Sequence, residues 1–191
     1  SYSDPGFNQQ RFYEYELIIR MAADGLVYCI RDINTNKFLH LEAFDLSDPS
    51  KKPYIPGEQL HSDTARVRYL LEDNLKWLGN PFSKTIVMLE QGKSTLVPEA
   101  LYSEEEKEII YNFNIAGGPF ENSELGQDTV RHANAFTIYH VDRPLMQLIA
   151  HHFPGASIRH YSGLMIQLLL LKFRNRDNNN TLYVNTGSSH I

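Results

Sequence analysis

The side chains able to do chemistry in this chain are few and scattered. Two-metal cleavage of phosphodiesters needs about four carboxylates converging on a pair of cations. Glu16, inside the run YELIIRM, and Asp142, after the run AFTIYHV, are the available acids. Asp142 reads more simply as the cap of the helix that follows it. His132, His140, His151, His152 and His160 fall in the last third of the chain. Helical zinc sites use pairs at i, i+4 or a Cys/His spacing. His151 and His152 are adjacent and so diverge on a helix. They read as ordinary polar or core-edge residues. Ser162-Gly163 follows His160, but G-x-S-x-G is absent, and Ser162 reads as a helix cap. Cys29 lies in the apolar run LVYCIRD and reads as an inert core thiol. Backbone amides around Gly187, in Asn185-Thr186-Gly187-Ser188-Ser189, could cradle a phosphate. The plainer reading of that segment is a turn that ends a strand. No catalytic residue and no metal ligand is assigned from these groups.

The elements that would carry them begin with three strands, YELIIRM, LVYCIRD and KFLHLEAF. In the first, Tyr15, Leu17, Ile19 and Met21 share one face, the period of a half-buried strand. Asp24-Gly25 and Asn34-Thr35-Asn36 supply the reversals, because Gly and Asn accept φ > 0 cheaply. Residues 45–61 hold Pro49, Pro53, Pro56 and Gly57 and read as a loop. A helix capped by Ser62 or Asp63 carries Val67, Leu70, Leu71, Leu75 and Leu78 at helical spacing, and Gly79-Asn80-Pro81 stops it. Thr85–Leu89 is a strand, and Ser94–Val97 is expected to pair back on it. Ser103-Glu104-Glu105-Glu106 matches a capping box before a helix whose apolar side is Ile109, Ile110 and Phe113. Residues 114–127 read as a loop. Strands are expected at Asp128–His132, Ala135–Val141, Ser157–His160 and Thr181–Asn185. Helices are expected after Asp142, with Leu145, Leu148 and Ile149 inside, and after Ser162. The second of these is apolar nearly all round, as in a helix covered on several sides.

With 191 residues, 42% apolar and 21% charged, the composition is that of a soluble globular domain with ample material for a core. A formal net charge of -5 offers no electrostatic footprint for nucleic acid. Cys29 is the only cysteine, which fits a reducing compartment. The N-terminal residues have no apolar core of a signal peptide. The greasiest run, Leu164–Phe173, rises only about 15 Å as a helix, half a bilayer core. The expectation is a cytoplasmic protein without a membrane segment.

Three antiparallel strands, a helix, then alternating strands and helices resembles a ribonuclease-H-like subdomain, the unit that is doubled in actin-like ATPases. The segments LIIRMAADGLVYCIRD, NKFLHLEAF, KSTLVPEALY, AFTIYHVDRPLMQLI, FPGASIRH and TLYVNTGSSHI together resemble an uncharacterised bacterial family with that fold. The resemblance implies a mixed α/β sheet, the N-terminal lobe of an actin-like ATPase fold. Residues 1–13 would be a polar lead-in, 14–180 the lobe with a hairpin-rich insertion at about 84–133, and 181–191 the opening strand of a second lobe. It also implies where nucleotide would sit, at two glycine turns whose aspartates hold magnesium. The first turn would be Ala22-Ala23-Asp24-Gly25. It lacks D-x-G-[TS], because Asp24 is adjacent to Gly25 and no hydroxyl follows. The second would be Asn185, Gly187 and Ser188, with Asn in place of Asp, and a neutral amide binds Mg²⁺ poorly. The first reading is therefore a non-catalytic, degenerate actin-like domain that binds another protein and needs no cofactor. The second is an ATP/Mg-binding ATPase or kinase relative completed by a second lobe. The third is a metal-dependent nuclease.

Overall fold

A computed structural model describes residues 1–46, 63–90, 92–116 and 122–173. The strands are β1 (Tyr2–Ser3), β2 (Tyr15–Ala22), β3 (Gly25–Asp32), β4 (Phe38–Asp45), β5 (Lys84–Leu89), β6 (Ser94–Pro98), β7 (Ser123–Val130), β8 (Ala135–Asp142) and β9 (Ser157–His160). The α-helices are α1 (Asp63–Tyr69), α2 (Lys107–Asn114), α3 (Arg143–His152) and α4 (Tyr161–Phe173). The fold is mixed α/β. It divides into two compact units, residues 1–91 with 142–158, and residues 92–141 with 159–191.

The first unit is built on a sheet of order β1-β4-β3-β2-β5-β9. β2 runs antiparallel to β3 and parallel to β5. Register places Ile19 beside Tyr28 and Val87, and Met21 beside Leu26 and Leu89. Every one of these side chains is buried. The expected period-2 face of β2 is therefore the core. Val67, Leu70, Leu71, Leu75 and Leu78 are buried as the spacing predicts. Their helix is not regular throughout. A π turn at Leu70–Asn74, closed by Leu75 N–H donating to Leu70 O at 2.9 Å, follows α1, and a 3₁₀ turn ends at Gly79. The cap expected at Ser62, and most of the proline loop, lie outside the described residues.

The N-terminal residues are more than a polar lead-in. β1 pairs with β4, and Asn8 caps a 3₁₀ helix at Gln9–Glu14, its side chain accepting from Gln10 N–H at 2.9 Å. Phe7 and Phe12 then join a ring cluster with Trp77, whose ring centre lies 6.2 Å and 6.1 Å from theirs. Apolar residues five apart in a polar background escape a period search, and only the partner Trp77 reveals their purpose.

The second unit holds a three-stranded sheet, β6-β8-β7. Ser94–Val97 does not pair back on β5. It pairs antiparallel with β8, Thr95 opposite Ile138, while β5 lies between β2 and β9 with both edges taken. β8, which the sequence pattern placed among the main-sheet strands, thus belongs to the small sheet. β7 begins at Ser123, inside the expected loop. Gly126 suggested that loop. In the structure a Cβ there would lie 2.5 Å from Tyr139 Cε2, so the glycine is a seat for the Tyr139 ring within a strand. The capping box does not form, and α2 starts only at Lys107 with no side-chain cap. Glu104 is held instead by Lys107 Nζ at 2.7 Å and by the Tyr102 hydroxyl. On α4 the expected cover is partial, since Leu168, Leu170 and Leu171 are exposed.

Gly25 also has a steric role. Its added Cβ would lie 2.6 Å from the Phe44 carbonyl oxygen, a backbone atom that cannot swing aside. Gly25→Ala should lower the unfolding free energy by about 1–3 kcal/mol, read as a lower urea midpoint at unchanged slope. A midpoint equal to that of the parent protein would show that β4 yields without cost.

Candidate functional site

The first glycine turn is a tight hairpin. Ala22 pairs with Gly25, so only Ala23 and Asp24 bridge β2 to β3. The Asp24 carbonyl accepts Leu46 N–H at 2.8 Å, extending the ladder toward β4. Gly25 does not have positive φ, contrary to the turn chemistry expected of it, and its open side is filled by β4. The second reversal follows expectation, with Asn36 at φ 58° and Asp32 Oδ1 accepting Asn34 and Thr35 N–H at 2.8 and 2.9 Å. These amides hold the Asp32 carboxyl below its ordinary range. Asn185, Gly187 and Ser188 lie outside the described residues.

Glu16, the nuclease candidate, is 4% exposed. Adjacent strands set its neighbours. It pairs with Arg31 on β3 and Lys84 on β5. Arg31 Nη2 lies 2.5 Å from Glu16 Oε2, and Lys84 Nζ lies 3.3 Å from Oε1. Both carboxylate oxygens already face cations, which is the chemistry of a structural ion set. Asp142 stands at the cap position of α3 but makes no side-chain cap bond. Among the described residues no group of three or more His, Cys, Asp and Glu could hold a metal ion.

The remaining candidates are also explained by packing. The Cys29 thiol is pushed up by burial and then by Glu16, which keeps it protonated. Burial, with His151 beside it, pushes His152 down. His140 Nδ1 lies 2.8 Å from the Tyr111 hydroxyl and 3.3 Å from Lys93 N. Ser162 is not the cap of α4 but lies in its first turn. His160 Nδ1 takes the capping role, accepting Ser162 N–H at 3.3 Å, and lies 2.7 Å from Ser162 Oγ. A ring nitrogen doing the work of a cap has no sequence signal that would have found it.

One surface feature escaped the sequence pattern. On α2 the inward residue is Tyr111, fully buried with Val97 and Ile138, and Ile110 packs against them. Ile109 is 69% exposed and Phe113 89% exposed. Spaced i, i+4, they form an apolar ridge on the outer side of the helix. The expectation that Ile109, Ile110 and Phe113 share an inner side is corrected, because Tyr111 rather than Ile110 is the centre of the buried stripe. Leu101, in the 3₁₀ turn before α2, is likewise exposed.

Residues 4–191 match the family model described as a protein of unknown function, DUF3822. The chain belongs to this family. No curated protein matches it. Among solved structures it is similar to a Bacteroides thetaiotaomicron protein with an actin-like ATPase fold and unknown function. That match has a TM-score of 0.75 at 20% identity and covers 88% of this chain and 60% of that one. The likeness shows an actin-like ATPase fold, and this family member spans about 60% of its neighbour's length. A weaker match is the cytoplasmic domain of EpsL, an inner-membrane component of the type II secretion system of Vibrio cholerae. It has a TM-score of 0.42 and 10% identity over 76% of this chain and 55% of that one, too low to carry an argument. No helix among the described residues is long and apolar enough to cross a membrane.

If Glu16 is a structural anion, Glu16→Gln should cost about 1–3 kcal/mol of unfolding free energy, because Arg31 and Lys84 lose their shared partner. The value stays at the low end because both cations are partly solvated. Urea unfolding checks it. A change within about 0.5 kcal/mol, as for an ordinary surface site, would contradict the assignment.

Proposed function

We propose that this chain is a non-catalytic actin-like domain that binds another protein, and that the outer ridge of α2 is part of the contact. The observation that carries the reading is the pair Ile109 and Phe113, both largely solvent-exposed and stacked on one side of a helix whose buried side is already satisfied. A phenylalanine left in water contributes nothing to the core, whereas aromatic anchors are enriched in protein interfaces. Leu101, in the 3₁₀ turn that precedes α2 in the chain, is a further exposed apolar residue. The acidic group Glu104, Glu105, Glu106 and Glu108 lies next to the ridge in sequence, which favours a partner with a basic rim.

Support against catalysis comes from chemistry. Asp24 sits in a two-residue hairpin, Gly25 is packed under β4, and Glu16 is committed to two cations. The nucleotide-binding reading retains the fold likeness as its support. It would use Asp24 and Gly25 together with Asn185, Gly187 and Ser188.

The test is affinity capture from a lysate of the source organism with the parent protein and the double variant Ile109→Ser/Phe113→Ser. Both residues are exposed, so the variant should keep its stability to within about 0.5 kcal/mol. It should lose a partner that the parent retains. Identical captured sets, or no retained protein with either, would contradict the proposal.

A further inference from the structure

A cavity of about 340 Å³ lies within the second unit, lined among others by Asp128, Thr129, Arg131, His132, Arg159 and Gln167. Three elements build it. The end of β7 and the 3₁₀ turn at Arg131–Ala133 supply one wall, β9 supplies Arg159, and the first turns of α4 supply Gln167. Its size is at the lower end of small-molecule pockets.

The hydrogen-bonding capacity of the walls is unequal. The only carboxylate, Asp128, is 5% exposed and engaged on both oxygens. Oδ2 accepts His160 N–H at 2.5 Å, and Oδ1 faces Arg159 Nη1 at 3.3 Å. The Thr129 carbonyl is also taken, by Gln167 Nε2 at 2.7 Å. Thus the negative charge and this main-chain acceptor are already satisfied. The donors are not. Arg159 gives Asp128 one of its nitrogens, and Arg131 is exposed and forms no ion pair among the described residues. A guanidinium carries five N–H donors in a planar fork that matches a carboxylate or a phosphate. Two such forks and one imidazole face a single neutralised acid, in a chain whose net charge is -5. The local field therefore opposes the sign of the whole protein.

We propose that this cavity is a binding site for the oxyanion group of a small polar molecule, a phosphate or carboxylate held between Arg131 and Arg159. Asp128 is a positioning residue in that site. Its bond to the His160 amide and its contact with Arg159 fix the guanidinium at the cavity wall. The site lies apart from the α2 ridge in sequence and does not depend on the protein-binding reading.

Isothermal titration at constant ionic strength tests it, with inorganic phosphate, pyrophosphate and citrate as separate probes. The two phosphates against citrate decide between phosphate and carboxylate chemistry. Saturable binding of at least one probe is expected. Arg131→Gln should weaken it by about fivefold or more relative to Arg143→Gln, which removes the same charge from α3 outside the cavity. Among the described residues the Arg131 side chain forms no ion pair, and its carbonyl bond to Asn134 N–H does not involve the side chain, so the variant keeps its fold, and far-UV circular dichroism verifies that. Arg159→Gln should weaken binding as well. No saturable heat up to about 10 mM of any probe, or an Arg131→Gln protein that binds within fivefold of Arg143→Gln, overturns the proposal.

Discussion

The structure of the first unit depends on β2 being paired along both edges. One edge takes β3 antiparallel and the other takes β5 in parallel, and the two registers bring like residues into rows. Leu17, Ile19 and Met21 lie in those rows with Leu26, Ile30, Val87 and Leu89, and all are buried. Each such side chain contributes about 1.5–3 kcal/mol on leaving water. The ion set at Glu16, with two partly solvated cations, contributes less than one of them. The apolar rows therefore decide the register, and the charges follow it. A slip by one residue would turn the entire buried face outward and separate Glu16 from its partners at once.

That constraint bears on function. The β2–β3 connection has to be short because its last pair, Ala22 and Gly25, is still in the ladder. The chain then has no length with which to form a loop around a phosphate, and the space beside Gly25 belongs to the Phe44 carbonyl. The actin-like fold is retained while the hairpin serves the sheet. Burial and pairing likewise account for Cys29, His140, His152 and His160. What the fold leaves available is surface, the ridge of Ile109 and Phe113, and the donor-rich cavity between β7, β9 and α4.

Much of this architecture was legible in the residues. The period-2 apolar run located β2, and the stripe from Val67 to Leu78 located its helix, because both patterns report a buried face directly. Partner choice was not legible. Nothing in STLVP distinguishes a strand that returns to β5 from one that crosses to β8. The first part of β7, residues 123–127, was hidden because SELGQ has no β-branched residue and a glycine whose purpose is the Tyr139 ring, whereas its end falls in the strand expected from Asp128. The capping box failed because α2 starts only at Lys107, which makes Glu106 the cap residue instead of a residue inside the first turn, a shift of the helix start that spacing cannot resolve. Arg131 and Arg159 are separated in the chain and meet only through β7 and β9, so their cavity had no sequence signal. Tyr111 takes the buried position on α2 and leaves Ile109 and Phe113 of the apolar side at the surface, which helical spacing alone does not distinguish.

The central claim is that the hairpin from Ala22 to Gly25 is structural and holds no magnesium nucleotide. Fluorescence anisotropy of a labelled ATP analogue with excess Mg²⁺, titrated with the protein, tests it most directly. The account predicts no saturation in the micromolar range, and the same curve for Asp24→Asn. Saturable binding in the micromolar range that Asp24→Asn abolishes would contradict it.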